Sequence, residues 1–242
     1  MPDTHIITYA THTYGYYNDL INNKYNINVV TLGYGLKWNG LRDKPLAVLK
    51  YLENIPETDI LVFVDGFDSI INNNMNTIIS KFNLLINDGK TKVILSKEQC
   101  YNKQSNLFYK LLFNYCQTKV YKYKNNVIVN SGLYMGYVKY VKQILEHHNN
   151  NDNQNVDQIL LNKVYSNYDF VKVDMDNVLF FNCPVYMDTK SDACFVQYPG
   201  VLSFQRIKRA VLQDYYHCFR SEIKIFLMLL FYLLYTYIFK RY

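Results

Sequence analysis

A chain of 242 residues, half of them hydrophobic, can bury a substantial core as one large domain or two small ones, which excludes a disordered polypeptide. The formal charge of +6 is concentrated in residues 201–242, where seven bases (Arg206, Lys208, Arg209, Arg220, Lys224, Lys240 and Arg241) face two acids (Asp214 and Glu222), leaving nineteen bases against eighteen acids in residues 1–200. No strip of that body is basic enough to neutralise a run of phosphates, so nucleic acid is excluded as a partner.

Five cysteines make an odd number without metal-type spacing, and residues 1–18 have no apolar core of the signal-peptide kind. Together these predict reduced thiols in a cytosolic setting.

In chain order, HIITYAT (residues 5–11) predicts a buried first strand, residues 14–23 a helix, and INVVTLGYG (27–35) a second strand ending in glycine turn chemistry. Residues 43–55 have Leu46, Leu49, Tyr51 and Leu52 near helical spacing, with Pro45 in the first turn after an acidic cap. The strand DILVFVD (59–65), a helix over 76–87 and the strand KVILS (92–96) follow. This alternation predicts an α/β fold with a mainly parallel central sheet and helices on both faces.

Farther along, residues 125–137 predict a strand that turns at Ser131-Gly132 and continues, and YVKQILEHH (140–148) an amphipathic helix. A polar loop (149–155) leads to a helix opening at Asp157, and short strands are expected over 170–174 and 178–182. No internal repeat and no linker interrupts the first 200 residues.

The expected organisation is a domain over 1–205, a basic juxtamembrane segment over 206–222 and an apolar C-terminal helix over 223–239. From Ile225 to Phe239 no residue is charged, and Lys224 and Lys240-Arg241 bracket the run. A span needs about 20 apolar residues, about 17 at the short end. The run reaches that length if Ile223 is counted and Lys224 snorkels. A core helix carries a polar stripe, whereas this one is apolar on every face, so a tail anchor on the cytoplasmic side of a membrane is expected. The alternative is a cytoplasmic protein in which this helix covers an apolar groove on the body or on a second copy, as a homodimer.

A parallel sheet gathers the C-terminal ends of its strands around one crevice, where ligands bind. Thr8 and Thr11, Gly33-Tyr34-Gly35, and Asp65-Gly66-Phe67-Asp68 fall at such ends. Gly66 permits a sharp turn, so two carboxylates three residues apart could converge on one hard cation, Mg²⁺ or Mn²⁺. Such an ion would neutralise charge on a diphosphate leaving group. The plainer reading makes Asp65 and Asp68 turn formers. Trp38, the single tryptophan, is either a stacking platform for a base or a hydrophobic plug. Lys44 either joins a helix N-terminus in holding a phosphate or is a surface lysine. His147 and His148, at a helix end, are read as solvated.

These stretches, in order, resemble the glycosyltransferase domain of the procollagen lysyl hydroxylase/glycosyltransferase family and the related procollagen glycosyltransferases. ITYAT (7–11) resembles that family's ITVAT-like first strand, and TLGYGLKWNG (31–40) its TLGxGxxWxG. Lys44 falls at the lysine opening the next helix, and FVDGFD (63–68) on the FxDxxD metal motif. SKEQCY (96–101) resembles SAESFCW, NSGLYMG (130–136) NSGGFIG, VDQILL (156–161) an acidic stretch ending in DDQLF, and DMDNVLFFN (174–182) DxxxxIFQN. The collinear set covers residues 7 to about 200.

The resemblance implies a GT-A fold enzyme, a stand-alone member of viral type, that uses Mn²⁺ (or Mg²⁺) and UDP-glucose or UDP-galactose as donor. It would transfer the hexose to a hydroxyl of a collagen-like protein (hydroxylysine-type) or of a glycan. By the same resemblance Asp65 and Asp68 are metal ligands, and Thr8, Thr11, Trp38, Lys44, Ser131 and Tyr101 belong to the donor side. Asn130, Asp157 and Asp174 would carry the catalytic side, facing sugar and acceptor.

Three departures stand out. Gln197 replaces the family's third metal ligand, a His, and an amide oxygen is expected to hold Mn²⁺ more weakly than imidazole. The dense acidic run is thinned to Asp152 and Asp157, and Tyr101 stands where the family has Trp. These departures keep open a second expectation, a nucleotide-sugar-binding protein with weak or lost turnover.

Overall fold

In the computed structural model, residues 2–98, 127–150, 157–183 and 191–198 are described. Tyr101, the basic segment 206–222 and the apolar segment 223–239 lie outside the described residues. Among the described residues no helix is long and apolar enough to cross a membrane.

The chain runs β1 (Thr4–Tyr9), α1 (Tyr17–Ile21), β2 (Val29–Leu32), α2 (Asp43–Leu52), β3 (Ile60–Val64), β4 (Ser69–Ile71), α3 (Met75–Leu85) and β5 (Val93–Lys97). After residue 126 come β6 (Val129–Tyr137), α4 (Val138–Asn150), α5 (Asp157–Val164), a 3₁₀ turn (Tyr165–Asn167), β7 (Val171–Asp174), β8 (Phe180–Asn182) and β9 (Phe195–Gln197). Six strands form the central sheet in the order β2-β1-β3-β6-β5-β7. Its β1–β2, β1–β3 and β5–β7 pairs are parallel, whereas β6 runs antiparallel to both neighbours. The expected mainly parallel sheet is therefore present, with one reversed strand at its centre.

Every residue of β3 is buried, as befits a strand covered on both faces. Alternate side chains feed two cores. Ile6, Val62 and Ile94 pack with Leu20, Ile78 and Phe82 of α1 and α3 on one face. On the other, Ile7, Phe63 and Leu95 pack with Val48 of α2, Val141 of α4 and Leu161 of α5. Among the described residues Cys183 and Cys194 are buried and form no disulfide, and burial pushes the Cys194 thiol up to about 11.

Two features differ from expectation. The turn expected at Ser131-Gly132 is a bulge within one nine-residue strand. Leu95 pairs with Tyr134 but Ser96 pairs with Asn130, so three residues of β6 stand unmatched between them. A second sheet, β4-β9-β8, is built from three-residue strands, of which the sequence pattern indicates only β8. Its register sets Ser69 opposite Gln197, carrying Gln197 to the turn after β3.

Candidate active site

The site grows from the end of β3. Asp65 N–H donates to Gly132 O across the β6 bulge at 2.8 Å, which fixes where the first carboxylate starts. The chain then turns through Gly66. A Cβ there would lie 2.8 Å from Thr8 Oγ1, 3.0 Å from Tyr9 O and 3.1 Å from the Ala10 methyl, so the end of β1 leaves room only for glycine. The turn brings Asp68 back beside Asp65, and Asp68 O accepts from Tyr198 N–H at 2.7 Å.

Two groups meet the acids. Lys44 Nζ, from the first turn of α2, lies 2.8 Å from Asp65 Oδ1. Gln197 Nε2 donates to Asp65 Oδ2 at 3.3 Å and to Asp68 Oδ1 at 3.0 Å. Burial, and then the neighbouring Asp65 charge, push the Asp68 carboxyl up to about 7. The hydrogen bond from Gln197, the Lys44 ammonium and the Ser69 hydroxyl offset this only in part. Two carboxylates against one ammonium leave a deficit of positive charge at the crevice floor, the electrostatic setting a divalent cation would relieve. Among the described residues no group of three or more His, Cys, Asp or Glu side chains forms a metal site. The donors at hand are instead two carboxylates and the Gln197 amide, whose buried Oε1 accepts no hydrogen bond from the described residues. All three can present oxygen, the chemistry Mg²⁺ and Mn²⁺ prefer, so the residues fit the ion.

On the β5–β6 side, Asn130 is buried. Its Oδ1 accepts from Gly132 N–H at 2.7 Å and its Nδ2 donates to Glu98 Oε2 at 3.0 Å. The same Glu98 oxygen accepts from Gln158 Nε2 at 3.2 Å. Asp157 is the first residue of α5, immediately before Gln158, so its backbone enters this corner. Asn162 anchors that helix with both amide ends on the Val129 backbone, 2.9 Å from N and 2.7 Å from O. Ser131 lies in the bulge, one residue before Gly132. Asp174 is turned inward. It is 1 % exposed, and its carboxylate accepts from the N–H groups of Val178, Leu179 and Phe180 at 2.7–2.9 Å. In this arrangement Asp174 builds the turn into β8 and does not face the crevice with Asn130.

On the β1–β2 side the residues divide. Thr8 is fully buried, and its Oγ1, beneath Gly66, has no hydrogen-bond partner among the described residues. Thr11 is at the mouth, with Oγ1 2.9 Å from His12 Nδ1. Phe67, between the two acids, meets His12 and Tyr14 at ring separations of 5.2 and 6.0 Å. Trp38 is 42 % exposed and its ring lies 5.7 Å from that of Tyr9, so it is not a core plug. Beside it, between β2 and α2, runs an open groove of about 780 Å³ lined in part by Tyr9, Leu36 and Leu46.

The structure thus brings Lys44, Asp65, Asp68 and Gln197 together, with Asn130 and Ser131 nearby through the β6 bulge. Three participants were not among the expected site residues. Glu98 and Gln158 lie inside the SKEQCY and VDQILL stretches with no signal of their own. Gly132 had a signal in Asn-Ser-Gly, because a bulge beside a ligand site favours a residue without a side chain.

The family model for the PLOD GT domain matches residues 2–189. Among solved structures, the chain is similar to a glycosyltransferase involved in glycosylation of the major capsid of PBCV-1, with a TM-score of 0.54 at 14% identity, covering 87% of this chain and 100% of that one. The apo bifunctional glycosyltransferase WbbM matches with a TM-score of 0.47 at 13% identity, over 83% of this chain and 46% of that one. The sequence matches no curated protein. At 14% identity the likeness to the PBCV-1 enzyme speaks for the fold alone, a GT-A-like α/β architecture, while the family match speaks for the chemistry. The chain belongs to the PLOD GT domain family and is a glycosyltransferase, an enzyme that binds a sugar donor and an acceptor.

Proposed function

We propose that the enzyme is a metal-dependent hexosyltransferase that moves glucose or galactose from a UDP-sugar to a hydroxyl of a collagen-like protein or a glycan. The observation that carries this reading is the convergence of Asp65 and Asp68 with Lys44 and Gln197 at the end of the central strand. A carboxylate pair has no use for an anionic diphosphate unless a cation stands between them. A Mn²⁺ or Mg²⁺ ion held by Asp65, Asp68 and Gln197 would supply the charge that stabilises departing UDP.

In the transfer, the acceptor oxygen forms a bond to the anomeric carbon while the bond from that carbon to the β-phosphate oxygen breaks. The hydroxyl proton passes to a carboxylate or to water. Lys44 is placed to exchange part of its Asp65 contact for a phosphate oxygen, holding the leaving group from the α2 side. Thr11 and exposed Trp38 border the place for the nucleoside, and Ser131 and buried Thr8 shape the walls. Glu98 holds Asn130 and Gln158 in fixed orientations, so Asn130 and the start of α5 at Asp157 present a rigid edge to sugar and acceptor. Asp174 acts through backbone placement.

The test is release of UDP from UDP-glucose or UDP-galactose with Mn²⁺, using collagen-like peptides and glycans as acceptors. Turnover should collapse in Asp65→Ala and in Asp68→Ala, and full activity in both would sink the metal assignment. A nucleotide-sugar-binding protein with weak turnover is favoured by one observation: the Lys44 ammonium and the Gln197 amide already partner the acids. Calorimetry showing tight UDP binding, alongside no transfer to any acceptor, would select that reading.

A further inference from the structure

Gln197 is 2 % exposed, and its two amide atoms are used unequally. Nε2 donates to both carboxylates, while Oε1 is buried with no donor among the described residues. The amide is also confined, since a Cβ on Gly132 would lie 2.6 Å from Nε2 and 2.8 Å from Oε1. Its register partner on β8, Asn182, has a matching defect. Asn182 Nδ2 donates to Ser96 Oγ at 2.7 Å and to Lys97 O at 2.6 Å, but its Oδ1 is buried without a donor among the described residues. Two adjacent strands therefore each hold an amide oxygen without a donor among the described residues, that of Gln197 on the side chain that meets the acids, whereas buried polar atoms are almost always paired.

Inverting the Gln197 amide turns its oxygen toward Asp65 and Asp68 and moves its N–H₂ to the side away from them, in a strand pair that is short of a donor. Three oxygens facing one another repel unless a cation lies between them. The present orientation is the one expected when the amide itself bridges the acids.

We propose that Gln197 is a two-position ligand: its N–H₂ bridges Asp65 and Asp68 when no divalent ion is bound, and its amide inverts to complete an all-oxygen site when one is. The inference rests on the metal-dependent reading above and adds to it how the site is kept when no ion is bound. Two carboxylates and an amide oxygen select hard ions, Mg²⁺ and Mn²⁺, and offer no nitrogen to favour Zn²⁺ or Co²⁺. Because the bridge must be released before the ion is held, Gln197 lowers affinity relative to a ligand that has no competing contact.

The test reads ion binding by the full-length protein, without turnover. The electron paramagnetic resonance signal of free Mn²⁺ is followed during titration, with Mg²⁺ and Zn²⁺ as competitors. Wild type should bind, Asp68→Ala should not, and Gln197→Leu should weaken Mn²⁺ binding about ten- to a hundredfold. Gln197→His should shift preference toward Zn²⁺ by about tenfold or more relative to wild type. In nitrogen-15 spectra, the side-chain N–H₂ pair absent from Gln197→Glu should move on addition of diamagnetic Mg²⁺. If Gln197→Leu fails to fold, the N–H₂ shift and the Gln197→His preference carry the test. Wild-type affinity in Gln197→Leu with binding abolished in Asp68→Ala overturns the inference but leaves the metal reading intact. So does an N–H₂ pair that Mg²⁺ does not move. No Mn²⁺ binding by wild type, with or without UDP, overturns both.

Discussion

Replacing Gly132 by alanine probes the site without removing any functional group. The added methyl would stand 2.6 Å from Gln197 Nε2, 2.8 Å from Asp65 Oδ2 and 2.8 Å from Gln197 Oε1, all inside contact distance. Gly132 cannot retreat easily, because its N–H is held by Asn130 Oδ1 at 2.7 Å and its carbonyl by Asp65 N–H at 2.8 Å. The side chains must therefore yield. Restoring an ordinary contact of about 3.4 Å requires a shift of about 0.8 Å, shared between the Gln197 amide and the Asp65 carboxylate. Both are side-chain ends, so the stability cost should fall at the low end for overpacking, about 1 kcal/mol. The functional cost should be larger, because a displacement of about 1 Å at a positioned group can reduce turnover about a hundredfold. Urea unfolding and UDP-release kinetics on the same preparation separate the two effects. A variant with wild-type turnover would refute the tight packing of Gly132 against the acids. A variant that loses several kcal/mol would show that the bulge backbone, not the side chains, absorbs the strain.

Asn162→Ala leaves the Val129 N–H and C=O without partners and should cost about 3 kcal/mol, measured by urea unfolding, while detaching the start of α5 from Asn130. Lys44→Met should weaken UDP binding about ten- to a hundredfold by calorimetry, the range for a lost charge-assisted hydrogen bond. Asp59 accepts from His5 Nε2 at 3.0 Å, and that hydrogen bond holds its carboxyl below the usual carboxylate range. A depressed folded value means that its stabilisation is present above the unfolded value of about 4 and is lost as pH falls through the folded one. The gap in urea midpoint between wild type and Asp59→Asn should accordingly be present near neutral pH and close in acid.

The long elements were legible because period and burial agree in them. β3 is apolar throughout and buried throughout, and α2 buries Pro45, Val48 and Leu52 at helical spacing, although Leu46 of the expected apolar set is exposed. The direction of β6 was not legible, since a strand buried on both faces reads the same forwards and backwards. Neither were β4 and β9, because three residues are too few to show an alternation, and their pairing joins distant parts of the chain.

The same distinction runs through the site. Asp65 and Asp68 could be found from Asp-Gly-Phe-Asp at a strand end, because glycine and two acids at that spacing are a local signal. Lys44 reaches Asp65 only because β1 and β3 are neighbours and α2 packs above them, which spacing does not encode. Only the family resemblance points Asp174 toward the sugar. In the structure its carboxylate instead gathers the N–H groups of the turn that follows it. Gln197 is the reverse case. Nothing local marks an isolated glutamine as a ligand, yet the pairing of β9 with β4 sets it opposite Ser69 and in reach of both acids. The small second sheet therefore does more than cover the core: its register decides which side chain stands third at the carboxylate pair. A chain that kept Asp65 and Asp68 but slipped β9 by one residue would send Gln197 to the other face of that sheet and leave the pair without it.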